Sequence, residues 1–390
     1  VRDGGVRPAG EPSAPVAAGV ALLGCLFGLG VIVHEYRDTV RVFPAATALA
    51  GFLLLLTLGV GYLLPRRIRP VVAPPHAGSI ACVAWGMTAA TGCAILANTG
   101  LGGIWAKTRG VDFADRWGAA VTAPVNEETL KLCGLLILAL IGSAMIRAPI
   151  DGWVFGALVG LGFQVMENLL YALNTILLDG ATDPGASVDA SFAARVGITG
   201  WGSHWAMSAV AGTGVGYLVA RDGRPLARRV SVALGCWLLA MGMHWFFNAP
   251  LPPGWRGMLA RVGVDFVVAM LVYRSARRHY LARFREVAAE EAGTGAIRPE
   301  EAELLPRRAG RRQVRNGRPR PVRVLIGEIE EAQLALVAGR IPRADPSEPA
   351  RSERLREEIA TLRAHLRARP AAGRGRPTES PGGSATPGGA

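Results

Sequence analysis

Three ionisable side chains, Glu127, Glu128 and Lys131, stand in an otherwise apolar run at 123–140, APVNEETLKLCGLLILAL. Further along, Glu167 and Asn168 lie in GFQVMENLLYAL (162–173), His204 in GSHWAMSAVAGTGVGYL (202–218), and His244 with Asn248 in MGMHWFFNAP (241–250). Two imidazoles and a carboxylate are nitrogen and oxygen donors that suit zinc with one position left to water. A neighbouring carboxylate can take a proton from that water and pass it to a leaving amine. Together these are the parts needed to hydrolyse an amide. The HExxH pattern of soluble zinc peptidases is absent, so the ligands would come from separate helices. The same acids, histidines and lysine would equally serve a transporter or channel as a proton relay, and the residue types alone leave both readings open.

Helical spacing groups these residues further. Glu127 and Lys131 are four apart and share a helix face, so the lysine can offset a carboxylate. Gly156 and Gly160 are four apart, with Glu167 seven beyond on roughly the same face. His204, Ser208, Gly212 and Gly216 form a stripe of small residues of the kind that lets helix backbones approach closely. His244 and Asn248 are again one turn apart.

The elements that must hold this set are membrane helices. Half of the 390 residues are hydrophobic and the mean hydropathy is +0.28, which excludes an ordinary water-soluble enzyme. Apolar runs long enough to cross a bilayer, about 20 residues each, predict about eight spans, near 15–34, 45–64, 79–98, 119–146, 152–175, 200–220, 229–249 and 255–273. An ionisable residue at the centre of such a helix costs about 2.5–3.5 kcal/mol on insertion scales. The charged residues of spans four to seven are therefore expected to face one another. Successive spans run in opposite directions. Glu127 is early in span four, Glu167 late in span five, His204 early in span six and His244 late in span seven, so all four fall toward one membrane face. Trp201, Trp205, Trp245 and Phe246 lie at the same level, as interfacial aromatics do.

Arginine-rich PRRIRP (65–70), ARDGRPLARR (220–229) and YRSARRHYLARFR (273–285) are expected in the cytoplasm; residues 178–195, with three aspartates and one arginine, outside. Lys107, Arg109 and Arg116 in the stretch 99–118 run against this scheme. With it, both termini are cytoplasmic and the charged set opens outward. The first apolar run lacks an Ala-x-Ala-like cleavage site and reads as an uncleaved span. Cys25, Cys82, Cys93, Cys133 and Cys236 lie in apolar segments without a CxxC pair and read as small apolar fillers. The fold expected is all-α and polytopic: a cytoplasmic N-terminus (1–14), a transmembrane domain (15–275) and a basic cytoplasmic tail (276–390). Segments near 323–340 and 351–368 of the tail have helical composition, and 371–390 is a low-complexity, disordered end. The net charge of +13 comes without a folded nucleic-acid motif, so lipid headgroups rather than nucleic acid are the expected partner of the arginines.

The order APVNEETLK, GFQVMEN–LLY, HWAMSAVAGTGVGY, HWFFN resembles the PrsW family of intramembrane proteases. That family shows an EExxK motif, a GFxxxENxxY-like motif, a histidine before a glycine-rich helix and a late HxxxN. Here these fall on Glu127–Glu128–Lys131, on Gly162, Phe163, Glu167, Asn168 and Tyr171, on His204 with Gly212 and Gly216, and on His244–Asn248. The likeness covers roughly residues 115–250, with the core motifs within 119–250. It implies a membrane-embedded metallopeptidase with a divalent metal, zinc, and a membrane protein substrate such as an anti-sigma factor. It also implies roles: Glu127 or Glu128 as general base, Glu167, His204 and His244 on the metal or its water, Lys131 beside them, and Asn168 and Asn248 in support.

Overall fold

The computed structural model describes residues 13–142, 145–220, 223–341 and 348–368. The expected N-terminal segment 1–14 falls almost wholly outside these residues, and the low-complexity end 371–390 entirely so. Among the described residues the chain is helical with no strands. Its order is α1 (Ser13–Val42), α2 (Pro44–Ile68), α3 (His76–Trp85), α4 (Thr91–Arg109), α5 (Val111–Ile141), α6 (Pro149–Leu178), α7 (Pro184–Phe192), α8 (His204–Val219), α9 (Leu226–Asn248) and α10 (Gly254–Gly293), then α11 (Pro299–Leu304), α12 (Arg308–Arg315), α13 (Arg320–Gly339) and α14 (Glu348–Ala368). A single wider turn at Gly86–Ala90 joins α3 and α4 into one run.

Among the described residues, five stretches are long and apolar enough to cross a membrane: Ala14–Val42, Pro44–Ile68, His76–Arg109, Pro149–Leu178 and Leu226–Asn248. The other expected spans, at 119–146, 200–220 and 255–273, coincide with α5, α8 and α10. Those helices carry the charges, or in α8 are too short, to pass on apolarity alone. The stretch 99–118, expected as a connection, is instead helical. It prolongs α4 and opens α5, with Gly110 between them at φ 92°, a left-handed conformation that favours glycine.

Helix α6 is the axis of the bundle. Of its most apolar stretch 83 % is buried, against 17 % in α1, 11 % in α2 and 22 % in α9. Leu22, Leu23, Leu55, Leu56 and Leu238 of the outer helices remain exposed, as lipid-facing side chains must. The two glycine stripes explain the centre. A Cβ on Gly156 would stand 2.1 Å from Ser208 O, and one on Gly160 would stand 2.3 Å from His204 O. With hydrogen at these positions α6 and α8 pack backbone to backbone. Trp153 then closes one side, its Nε1 donating to Ala269 O at 3.1 Å.

The expected boundary at 275/276 falls within α10, which runs unbroken to Gly293. Tyr273, Ala276, Tyr280, Phe284, Val287 and Glu291 recur at three- and four-residue intervals and are buried. Tyr280, Phe284 and Val287 share one buried cluster with Trp153 and Leu158 of the bundle. Side chains of α10 and α12 cap the C-terminal end of α2 and the residues just after it. Tyr273 Oη donates to Ile68 O (2.7 Å), Arg308 to Arg67 O (3.0 Å) and Arg69 O (3.3 Å), and Arg311 to Val71 O (2.9 Å). The carbonyls of Arg67 and Ile68 are ones that a helix end leaves unpaired, and those of Arg69 and Val71 belong to the segment that follows. Glu291 is fully buried and bound by Arg356 (2.9 Å) and Arg340. Burial pushes its carboxyl up, but the two guanidiniums together outweigh burial and hold it below the ordinary carboxylate range.

Candidate active site

The charged residues of four helices meet in the interior. α5 brings Glu127, Glu128 and Lys131 to one face, with Pro124 one turn earlier inside the helix. α6 contributes Glu167 and Asn168. α8 begins at His204, so this imidazole sits on its first turn. α9 supplies His244 close to its C-terminal end. Glu127, Glu128, Lys131, His204 and His244 are each at most 3 % exposed.

Each imidazole bridges an outer carboxylate and a common centre. His204 Nε2 lies 2.8 Å from Glu167 Oε2, and its Nδ1 lies 3.8 Å from Glu127 Oε2. His244 Nδ1 lies 3.0 Å from Glu128 Oε1, and its Nε2 lies 3.8 Å from the same Glu127 oxygen. The rings cross edge to face with centroids 5.0 Å apart. Carboxylates accept hydrogen bonds, so His204 carries its proton on Nε2 and His244 on Nδ1. Both bare nitrogens then face Glu127. Glu127 itself is aimed by Asn98 on α4, whose Nδ2 donates to Oε1 at 2.9 Å. Asn126 in turn donates to Asn98 Oδ1 at 3.2 Å.

Lys131 pairs most closely with Glu128 (2.6 Å), three residues back, and stands 3.9 Å from Glu127, four back. Its Nζ also lies 3.0 Å from His204 Nδ1 and 4.3 Å above the Phe163 ring. On the outer edge Arg195 donates to Glu167 Oε2 and, through Nε, to Asn168 Oδ1 at 2.7 Å.

The donor set fits a divalent ion. Glu127, His204 and His244 offer one ligand atom each, all within 4.8 Å of one another. Glu127 Oε2 is buried without a hydrogen-bond partner, an arrangement that is costly unless something positive or a water meets it. Tetrahedral zinc with ligands at about 2.1 Å sets donors about 3.4 Å apart; Glu127 Oε2 lies 3.8 Å from a nitrogen of each imidazole, and the three donors lie within 4.8 Å of one another.

Residues 74–275, just over half of the chain, match the family model described as PrsW family intramembrane metalloprotease. The chain belongs to the PrsW family. No curated protein and no solved structure matches it.

The matched part of this PrsW-family chain starts just before α3 and ends within α10, and it contains every residue of the cluster. Membership makes the chain a membrane protein of an intramembrane protease family, acting on protein. The metal set expected from the sequence was Glu167, His204 and His244. The three donors that converge are Glu127, His204 and His244, with Glu167 behind His204. Glu127 Oε2 lies between the two rings, 3.8 Å from a nitrogen of each, whereas Glu167 meets only the far nitrogen of His204. Asn168 is buried beside Arg195. Asn248 points elsewhere, its Nδ2 lying 3.5 Å from Ala119 O of α5. Trp201 and Trp245 are exposed, as interfacial aromatics would be, whereas Trp205 turns inward against Trp153 and Phe266. Sequence reading passed over Asn98 and Arg195. Asn98 gave a signal, being a polar residue inside an apolar run; Arg195 was counted as a loop charge.

Proposed function

We propose that this protein is a metal-dependent intramembrane endopeptidase that cleaves a membrane protein, an anti-sigma-factor-like regulator being the substrate type that fits the family resemblance. The observation that carries the reading is the convergence of Glu127, His204 and His244 around an unpartnered, buried carboxylate oxygen, in a chain of this family. These three residues would hold the ion, zinc in our reading. The ion, when bound, supplies Lewis-acid polarisation and a water that ionises near neutral pH. Glu128 has a second carboxylate oxygen, Oε2, buried and unpartnered. It would accept the proton of the attacking water and return it to the leaving amine. Lys131 offsets the charge of Glu128 and would offer a cation to the oxyanion that develops on the scissile carbonyl. Glu167 orients His204, and Glu128 through its other oxygen orients His244.

The arginine distribution supports a site opening on the extracytoplasmic side, in the cell membrane, with both termini in the cytoplasm and the basic tail beside lipid headgroups. Thr182 and Glu353 are exposed, so impermeant thiol labelling is aimed at Thr182→Cys and Glu353→Cys. Intact cells should label the first and spare the second.

The decisive assay incubates the purified full chain with a substrate containing one membrane span. Cleavage that is lost with a chelator and restored by zinc supports the reading. A transporter using the same charges would leave the substrate whole under all conditions.

A further inference from the structure

We propose that Arg195 is a positioning residue of this site, acting through Glu167 to fix the imidazole of His204 as a metal ligand. The inference rests on the metallopeptidase reading above and names a residue outside the four motifs that carry the resemblance.

Arg195 lies in the helical turn Ala193–Ile198, on the segment between α7 and α8. Its guanidinium is held by three residues of α6 at once. Nη2 donates to Glu167 Oε2, Nε donates to Asn168 Oδ1 at 2.7 Å, and the carbon of the group sits 3.7 Å from the centroid of the Tyr171 ring. Positions 167, 168 and 171 occupy one turn of α6, so they present two acceptors and an aromatic face to a single planar fork. Such a site uses both the planarity and the stacking of arginine, which a lysine lacks.

The consequence reaches the centre through Glu167. One oxygen, Oε2, accepts from Arg195 and from His204 Nε2. Fixing that oxygen fixes which imidazole nitrogen carries the proton and where the other points. Nδ1 is left unprotonated, 3.8 Å from Glu127 Oε2 and 3.0 Å from Lys131 Nζ. A ring held this way by an outer carboxylate is the usual means of orienting a metal-bound histidine. The same contacts position the start of α8. Thr199 Oγ1 donates to Arg195 O (3.2 Å), and Trp205 Nε1 donates to Gly200 O (2.9 Å), so the peptide leading to His204 is tied at both ends. The side chains of Glu167 and Arg195 are 18 % and 23 % exposed, whereas the side chain of His204 is 4 % exposed. The pair therefore forms the rim of the site, not its floor.

The test uses the full chain, purified in detergent, as wild type, Arg195→Gln, Arg195→Lys and the charge-neutral double variant Arg195→Gln/Glu167→Gln. Zinc affinity is read by competition with a chromophoric chelator, and cobalt substitution reports the ligand geometry through its visible spectrum. Arg195→Gln is expected to weaken zinc binding about 10- to 100-fold, the usual loss when an outer-shell partner is removed, and to change the cobalt spectrum. It should lower kcat on a short substrate with little change in KM. Arg195→Lys, which can still reach Glu167, should lie between wild type and Arg195→Gln. If Arg195→Gln does not fold, the double variant, which leaves no unpaired charge, takes its place and should also bind zinc weakly. Wild-type affinity and spectrum in Arg195→Gln or the double variant would overturn the inference while leaving the metallopeptidase reading intact. A wild-type protein that binds no metal would instead remove that reading, and this inference with it.

Discussion

Lys131 Nζ lies 3.0 Å from His204 Nδ1, so a buried ammonium holds the lone pair that a metal ion would use. The two cations compete for one donor. The repulsion of an ammonium and a divalent ion at about 4 Å is worth about 8 kcal/mol in surroundings of effective dielectric 20. Replacing Lys131 by Met should therefore tighten zinc binding, by about tenfold or more, in a chelator competition. Unchanged or weaker binding would mean that Lys131 does not share the ion's place.

The adjacent glutamates should separate by role. Glu127→Gln is expected to lose both zinc binding and proteolysis. Glu128→Gln should keep zinc and lose proteolysis by about 10²–10⁴-fold, the range for a general base. Both should insert at normal levels. The measurement is zinc content beside cleavage rate. Full cleavage by either variant would remove that residue from the chemistry.

Close packing of α6 on α8 sets the height of His204. A Cβ on Gly160 would meet His204 O at 2.3 Å, a backbone atom that cannot swing aside. Gly160→Ala should cost about 1–3 kcal/mol in stability through overpacking and lower proteolysis more than tenfold. Gly100→Ala, with nothing within 4 Å of the added carbon, is the control and should do neither. Thermal unfolding and cleavage of the two variants are compared directly.

The tail should be stable at neutral pH and loosen in acid. Glu291 is held below the ordinary carboxylate range when folded, so its contribution is present above the unfolded-chain value, about 4.3, and is lost as pH falls through the lower folded value. Limited proteolysis of residues 294–368 should accelerate below about pH 4. In Glu291→Gln that acid step should shrink. An unchanged step would place the acid-sensitive group elsewhere.

Truncation after residue 285 removes Arg308 and Arg311 from the end of α2 and uncovers Phe284. The clustered side chains of the site lie outside the deleted part. The truncated protein should therefore have a lower Tm than the full chain yet still cleave a short substrate at low temperature. A well-inserted, inactive truncation would make the tail part of the catalytic assembly.

The apolar runs determined the all-helical, membrane-embedded character of this protein, because a bilayer interior demands long, continuous apolar helices. The alternating direction of successive helices made one shared depth for Glu127, Glu167, His204 and His244 readable, and the small-residue stripes at Gly156 and Ser208 marked where helices would meet. What the sequence left open was rotation and reach. Spacing along a helix gives a face, but not which side chain on the neighbouring helix that face meets. Hence Glu127 rather than Glu167 turns toward both imidazoles, and Lys131 pairs with the nearer of its two acids. Arg195 and Asn98 reach the site from elements distant in the chain, and no local pattern reports a contact of that kind. In the tail, too, α10 runs past the end of its apolar stretch, because its buried side finds partners in α11, in α13, in Arg356 of α14 and at the end of α2. Only the tertiary packing supplies those partners.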